Sequence, residues 1–350
     1  MTKKKTDKKR WLNLAAFVVG VAILGAFVAN LGFEETREQL FAVGWGFFGL
    51  IGLMLFALIL EAFAWRIAIG HPIPIPRLVG TAMAGTAINS LTPMGEGGEL
   101  IKVNLMSAHI PMSRSISSVL VWNICFRITK HLLIFLVILL MPVLAAGVLD
   151  SRLFAAFLLA AVLSAIPTVL FFWALKKGSA GLVVKFLQKI PAFRSRAPEK
   201  LEEAAQRIDN EVRAFTGPKR GQALRMCCLL ILARVFSALE IVAVMKLLGA
   251  DVGFMHGLFL YCATMILRNF LSISPVQLGV AEGGESFLFK LLGFSLNIGF
   301  AQAFVRVLRL MLFNLIGLAY LGSRGLNQKS EDAPPEQNQE SPDNPVSAQP

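Results

Sequence analysis

The sequence predicts an all-α integral membrane protein that crosses the bilayer about six times. Of the 350 residues, 55% are hydrophobic and 16% are charged, and the mean hydropathy is +0.65. A soluble domain carries charge on nearer a quarter of its residues. The apolar residues also fall into runs of about 20 or more, the length that a helix needs to cross the hydrocarbon core.

The first of these runs, residues 11–32, follows a strongly basic N-terminus. It is too long for a signal peptide and no small-residue cleavage site follows it, so we expect an uncleaved span that starts in the cytoplasm. Further spans are predicted over residues 41–66, 117–146, 153–175, 223–248 and 298–321. Residues 1–325 would form a single transmembrane domain, and residues 326–350, rich in Gln, Pro and Ser, a disordered cytoplasmic tail.

The net charge of +12 does not indicate a nucleic-acid partner. The basic residues lie mostly at the ends of apolar runs, where topology and contact with anionic lipid account for them. The long polar loop 176–220 carries 11 Lys or Arg against 5 Asp or Glu, so we expect it in the cytoplasm, against the anionic membrane surface. The sequence therefore predicts a multi-pass protein of a bacterial inner membrane with both termini in the cytoplasm.

Two related stretches interrupt the apolar pattern, residues 90–100 and residues 272–286. Each contains Ser, then Pro, then Glu-Gly-Gly-Glu, with a short apolar run on either side. Short runs joined by a Pro/Gly break predict a re-entrant hairpin rather than a span. Its glycines would permit close backbone approach and leave amides open to an anion. The residues expected to break the helices are Pro93, Gly97, Gly98, Pro275, Gly279, Gly283 and Gly284.

The same order of features occurs twice, over residues 41–146 and residues 223–322. In each block a span leads to a short helix, then the motif, then a long helix that bears Arg127 or Arg309. The predicted topology sends the first spans of the two blocks in opposite directions, so the blocks would form an inverted repeat, as transporters do. Chance similarity is the alternative, because Gly-rich breaks are common in membrane helices.

The acidic residues of the two motifs are the first candidates for function, since an ionised carboxylate in hydrocarbon costs about 2.5–3.5 kcal/mol. Each needs a polar cavity, a basic partner or a bound proton. Basic residues on neighbouring helices would supply a cationic wall suited to phosphate, and Arg127, Lys130 and His131 share one helical face. The candidate substrate and transport residues are Glu96, Glu99, Lys102, Arg127, Lys130, Arg268, Glu282, Glu285, Arg306 and Arg309.

The alternative for each of these residues is a structural salt bridge that ties broken helices together. This alternative is stronger for Glu61 and Glu240, which lie nearer span ends. They are expected to pair locally, with Arg66 or Lys246.

The remaining polar residues do not indicate catalysis or a cofactor. Asn89 and Asn269 stand just before the breaks, where we expect them to bond freed backbone groups. The four cysteines lie in apolar runs without metal-ligand spacing, and no His/Asp pair stands at a useful spacing. We therefore predict no metal site, no cofactor and no catalytic residues.

At the two motifs the chain resembles the flippase-like transmembrane region of the lysylphosphatidylglycerol synthases, which also occurs as stand-alone membrane proteins. The resemblance covers most of residues 11–325. The first family pattern, Pro followed by Gly-Glu-x-x-Arg, falls on Pro93, Gly98, Glu99 and Lys102, with Lys in place of Arg. The second, Pro then Gly-x-x-Glu, falls on Pro275, Gly279 and Glu282, after Val-Gln-Leu where the family has more glycines.

The resemblance implies lipid translocation rather than lipid synthesis, because no soluble aminoacyl-transferase domain is expected after residue 325. We expect a flippase-like transporter that moves an anionic or polyprenyl-type lipid between leaflets. A Glu beside an Arg would release the substrate when it ionises and competes for the cation, which would couple transport to protons. Two alternatives stay open: an intramembrane enzyme that modifies lipid head groups, and an accessory or structural subunit.

Overall fold

The computed structural model describes residues 41, 43–91, 97–144, 150–176, 206, 209–210, 214, 217–271 and 280–331. Several predictions lie outside this part of the chain: the span at 11–32, the breaks around Pro93 and Pro275, most of the loop 176–220, and the tail after residue 331. Every secondary-structure element of the described part is a helix. The predicted all-α fold is therefore confirmed.

Nine helices of eleven residues or more run through the described residues. In chain order they are α1 (Gly46–Ile69), α2 (Ile75–Leu91), α3 (Gly97–Ser107), α4 (Met112–Leu144), α5 (Ser151–Lys176), α6 (Arg220–Leu247), α7 (Phe254–Leu271), α8 (Val280–Leu291) and α9 (Leu296–Glu331). Within the described ranges, six of them are long and apolar enough to cross a membrane: α1, α4, α5, α6, α7 and α9. The chain is thus a multi-pass membrane protein.

The turn between α1 and α2 follows from glycine and proline. Gly70 caps α1 in the left-handed region, with φ of 63°, and its N–H donates to the Arg66 carbonyl at 3.1 Å. Pro72 and Pro74 cannot continue the helix, whereas Pro76 stands in the first turn of α2, where its missing N–H costs nothing.

The helices around the second motif differ from the prediction in one respect. The run before this motif was expected to be the short limb of a hairpin, but α7 has 18 residues and is itself a candidate span. At 1.5 Å per residue it is about 27 Å long, close to the thickness of the hydrocarbon core. α2, α3 and α8 are shorter, with 17, 11 and 12 residues. That the two motifs form re-entrant hairpins stays a prediction.

The last helix also extends further than the sequence predicted. α9 was expected to end near residue 321, with a disordered tail from residue 326, but the helix continues to Glu331. Residues 326–331 contain no Pro or Gly, and the first proline after them is Pro334. Nothing in these six residues therefore stops the helix.

The two blocks of the sequence have matching sets of neighbours. In the first, α1 packs against α2 and α4, and α3 packs against α2 and α4. In the second, α6 packs against α7 and α9, and α8 packs against α7 and α9. Contacts between the blocks match as well, since α2 packs against α9 and α7 packs against α4. This is the pattern that an internal repeat requires.

α1 and α6, the first helices of the two blocks, form the most extensive contact and run antiparallel. The start of α1 meets the end of α6, because a Cβ on Gly46 would stand 2.6 Å from the Leu247 Cδ1 atom. Further along, the rings of Phe56 and Phe236 lie 4.5 Å apart, and Ile69 packs near Met226. Opposite directions of equivalent helices are what an inverted repeat demands, although its orientation in a membrane stays a prediction.

Two apolar clusters hold these helices together. One joins α1, α4 and α6 around Trp65 and Trp122, whose ring centroids lie 6.3 Å apart. The other cluster joins the five helices α4, α5, α6, α7 and α8. At its centre the rings of Phe157 and Phe259 make an edge-to-face contact, with centroids 5.2 Å apart. The outer side of α5 exposes Leu159, which fits contact with lipid tails.

Candidate functional site

The first motif places Glu99 in an ion pair at the start of α3. The Lys102 ammonium, one turn along the same helix, lies 2.9 Å from one carboxylate oxygen of Glu99. The Asn123 amide of α4 donates to the other oxygen at 2.8 Å. The Lys102 side chain is buried and its ammonium lies 4.7 Å from the centroid of the Trp122 ring. Glu99 is therefore bound to both α3 and α4.

The second motif forms a cluster of two glutamates and two arginines. Glu282 and Glu285 are three residues apart on α8, so both face the same side of it. Arg268 of α7 donates to Glu285 at 2.6 Å and lies 3.7 Å from Glu282. Arg306 of α9 lies 3.0 Å from Glu282 and 3.3 Å from Glu285. With all four ionised, this four-residue cluster is electrically neutral and ties α7, α8 and α9 together.

A third ion pair joins the two long helices of the second block. Glu240 of α6 accepts a hydrogen bond from the Arg309 guanidinium of α9, and both side chains are buried. The local pair of Glu240 with Lys246 that the sequence suggested was wrong. The sequence position could not reveal the true partner, which is 69 residues away on another helix.

Glu61 is likewise not paired with Arg66, since no ion pair joins these two described residues. Glu61 instead lies within electrostatic range of the Arg234 guanidinium and the Lys102 ammonium. Its carboxylate therefore belongs to the interior of the first block rather than to the end of α1.

Two interior cations differ from those described so far, because no carboxylate of the described residues lies within ion-pair distance of either. Lys130 of α4 donates to the Asn269 side-chain oxygen of α7 at 2.7 Å. Arg234 of α6, only 2% exposed, donates to the Phe126 carbonyl at 2.7 Å and stacks 4.2 Å from the Phe126 ring. The two cations are within electrostatic range of each other and of Arg127. We call Lys130 and Arg234 the cation pair.

The glycines of the two motifs have different surroundings. The Gly98 N–H donates to the Asn89 side-chain oxygen at 2.5 Å, so this amide is not open to an anion as predicted, and Asn89 bonds a backbone group as expected. A Cβ on Gly98 would overlap the Gly85 carbonyl, which explains the need for glycine. Gly283 and Gly284 lie inside α8 and not at a break. Gly97 begins α3.

Four predicted site residues lie outside the described part of the chain: Glu96, Pro93, Pro275 and Gly279. The other candidates fall into the groups above rather than into one. The described contacts bind Glu99 to α4 and Glu282 to α9. A common cavity for these two carboxylates stays a prediction.

Two residues of these groups were not among the candidates that we predicted from the sequence. Asn123 was not a candidate, although it lies one turn before Arg127 on the same face of α4, a spacing that would have found it. Arg234 was not among the candidate transport residues either. Its burial and its hydrogen bond to another helix depend on tertiary contacts, which spacing along α6 does not reveal.

Comparison with known proteins agrees with this architecture. The family described as the lysylphosphatidylglycerol synthase TM region matches residues 13–321. No curated protein and no solved structure matches the chain. The match covers nearly the whole helical region and includes both motifs with their ion pairs. The chain therefore belongs to the family of the lysylphosphatidylglycerol synthase transmembrane region.

Proposed function

We propose that the protein is a flippase-like lipid transporter of a bacterial inner membrane, with both termini in the cytoplasm. Its substrate is a lipid with an anionic or polyprenyl-type head group, which it moves between leaflets without chemical change. The observation that carries this proposal is the cation pair of buried Arg234 and half-buried Lys130, which lies between helices without a carboxylate of the described residues at ion-pair distance.

Charge supports an anionic substrate at this position. Two cations without an ion-pair partner among the described residues repel each other and have lost hydration, which is costly in a membrane interior. An anionic head group between them would offset both costs. A phosphate suits them, because the planar guanidinium donates two hydrogen bonds at once and the ammonium supplies a compact second charge. Asn269 and Phe126 are neutral hydrogen-bond partners, so an anion would break no ion pair of the described residues when it binds there.

The glutamates are proposed to control access rather than to bind the head group. Glu282 and Glu285 already neutralise Arg268 and Arg306, so this cluster has no spare positive charge for a substrate. Proton uptake by one glutamate would release an arginine, and proton loss would recapture it. Such a step couples the proton to lipid movement. Glu99 with Lys102 would play the equivalent part in the first block.

The proposal is tested with purified protein in vesicles that contain a fluorescent phosphatidylglycerol, with and without a pH gradient. We expect the wild-type protein to move this lipid between leaflets and to form no covalent product. Glu99→Gln and Glu282→Gln should abolish movement while the protein still inserts. Lys130→Gln should slow the anionic lipid more than a zwitterionic analogue, because it removes a head-group cation.

Asp150→Asn is the matched control, since Asp150 is an exposed carboxylate at the start of α5 and outside the buried groups. It should keep the wild-type rate. Wild-type rates in both glutamate variants would refute the coupling role. A modified lipid head group recovered from purified protein would favour an enzyme instead.

A further inference from the structure

Two adjoining cavities lie at the end of α1. The first, which we call the apolar groove, has a volume of about 420 Å³ and is lined mainly by apolar side chains such as Phe63 and Leu229. The second, the basic cavity, is more enclosed, has a volume of about 190 Å³ and is lined by Arg114 and Lys219. They adjoin because Ile67 and Gly70 line both.

The charge of both cavities has a single sign. Arg66 and His71 line the groove, and Arg114 and Lys219 line the basic cavity, whereas no Asp or Glu of the described residues lines either. Arg114 stands in the first turn of α4, and Lys219 is the N-cap of α6. The positive ends of two helix dipoles therefore add to the charge of these side chains. The basic cavity is complementary to an anion.

The apolar groove and the basic cavity match the two parts of an amphiphilic molecule, its apolar tail and its charged head. Phe56 and Phe63 are seven residues apart on α1 and both exposed, so they mark a lipid-facing side of the helix. The groove extends along that side from Phe63 to Gly70, about 10 Å at 1.5 Å per residue. An apolar groove that continues into a basic cavity fits the tail and the head group of one lipid.

We propose that these two cavities bind one anionic phospholipid of the cytoplasmic leaflet, with its phosphate in the basic cavity and an acyl chain in the groove. The site is separate from the cation pair. Ser117, which lines the basic cavity, is thirteen residues before Lys130 on α4, about 20 Å along the helix axis. This binding does not depend on lipid movement, so the site can exist whether or not the protein is a transporter.

The test measures the thermal unfolding midpoint of the full chain in mixed micelles as phosphatidylglycerol or phosphatidylcholine is added. A lipid that binds only the folded state raises the midpoint with its concentration. We expect phosphatidylglycerol to raise it more than phosphatidylcholine. The double variant Arg114→Gln/Lys219→Gln should bind phosphatidylglycerol about tenfold more weakly, since each basic residue contributes appreciably to anionic-lipid binding.

The matched control is Arg220→Gln/Arg225→Gln, which removes the same charge from exposed positions of α6 that line neither cavity. It should keep wild-type affinity. If Arg114→Gln/Lys219→Gln does not fold, Leu229→Trp is used instead. The larger side chain fills the groove and should weaken the binding of phosphatidylglycerol. Equal effects of the two double variants would overturn the proposal. Equal stabilisation by inorganic phosphate alone would overturn it too, because the groove would then have no part in binding.

Discussion

At the scale of single residues, the contact between Gly85 and Gly98 decides how closely α2 and α3 approach. The Gly98 N–H is bound by Asn89, and the Gly85 carbonyl occupies the space where a Cβ of Gly98 would stand. The corresponding glycine of the second motif is Gly284, where a Cβ would come no closer than 3.3 Å to Leu267, and its neighbour Gly283 has open space around it and is exposed. Two copies of the same four-letter motif thus place different demands on glycine.

Gly98→Ala and Gly283→Ala should change stability in opposite directions. The first forces α2 and α3 apart, and we expect it to destabilise the protein by about 1–3 kcal/mol, the range for overpacking. The second replaces glycine in an open helix interior and should stabilise it by about 0.5–1 kcal/mol. Thermal unfolding in detergent micelles measures both changes. A neutral Gly98→Ala would contradict the close contact.

The sequence predicted the residue types of the ion pairs better than the pairs themselves. Buried acids required bases, and this rule identified Glu282, Glu285, Arg268 and Arg306, which meet in one cluster. It gave no means of choosing among bases on different helices. Glu240 was therefore assigned to a near neighbour, because proximity in sequence is visible and the packing of α6 against α9 is not.

At the scale of helices, the apolar runs predicted the number and approximate bounds of the elements. Spans expected at 117–146 and 153–175 correspond to α4 and α5. α7 was not predicted to be a span, because its apolar run leads into a motif like the one after α2, which suggested an equivalent limb of a hairpin. The antiparallel packing of α1 and α6 could be inferred only through the positive-inside rule, since a helix sequence does not state its direction.

Cysteine cross-linking tests the antiparallel contact of α1 and α6. In a variant whose four native cysteines are replaced by serine, Gly46→Cys with Leu247→Cys should form a disulfide on mild oxidation, because the two side chains meet. A protease site introduced in the loop 176–220 separates the halves, so a non-reducing gel detects the bond.

The control pair is Gly46→Cys with Met226→Cys, at the other end of α6. Positions 226 and 247 lie twenty-one residues apart on α6, about 32 Å along the helix axis. Because Gly46 meets Leu247, position 226 is too far from Gly46 for a disulfide to form. Cross-linking of this pair instead would mean that α1 and α6 run parallel, and the repeat could not be inverted.

At the scale of the whole molecule, the two blocks surround an interior in which charge is unevenly divided. The second block balances Glu240, Glu282 and Glu285 against three arginines. Lys130 and Arg234, one from each block, have neutral hydrogen-bond partners instead. This uneven division of charge could not be predicted from the motifs, because both copies read Glu-Gly-Gly-Glu.

Labelling from the two sides of the membrane tests the inverted topology. His109 follows α3 and Asp251 follows α6, and both residues are exposed. In intact cells with the outer membrane permeabilised, an impermeant maleimide should label Asp251→Cys, whereas His109→Cys should react only after the inner membrane is opened. Ser323→Cys, at the end of α9, should behave like His109→Cys. Labelling of positions 109 and 251 from one side would refute the topology.

The neutrality of the four-residue cluster has a consequence for how the protein responds to membrane voltage. Moving one elementary charge across 100 mV is worth about 2.3 kcal/mol, so a displaced charge makes a conformational change electrically sensitive. Glu282, Glu285, Arg268 and Arg306 carry no net charge together, so their joint displacement performs no electrical work on the field. Helices that carry Lys130 or Arg234, or a bound proton or substrate, would sense the potential.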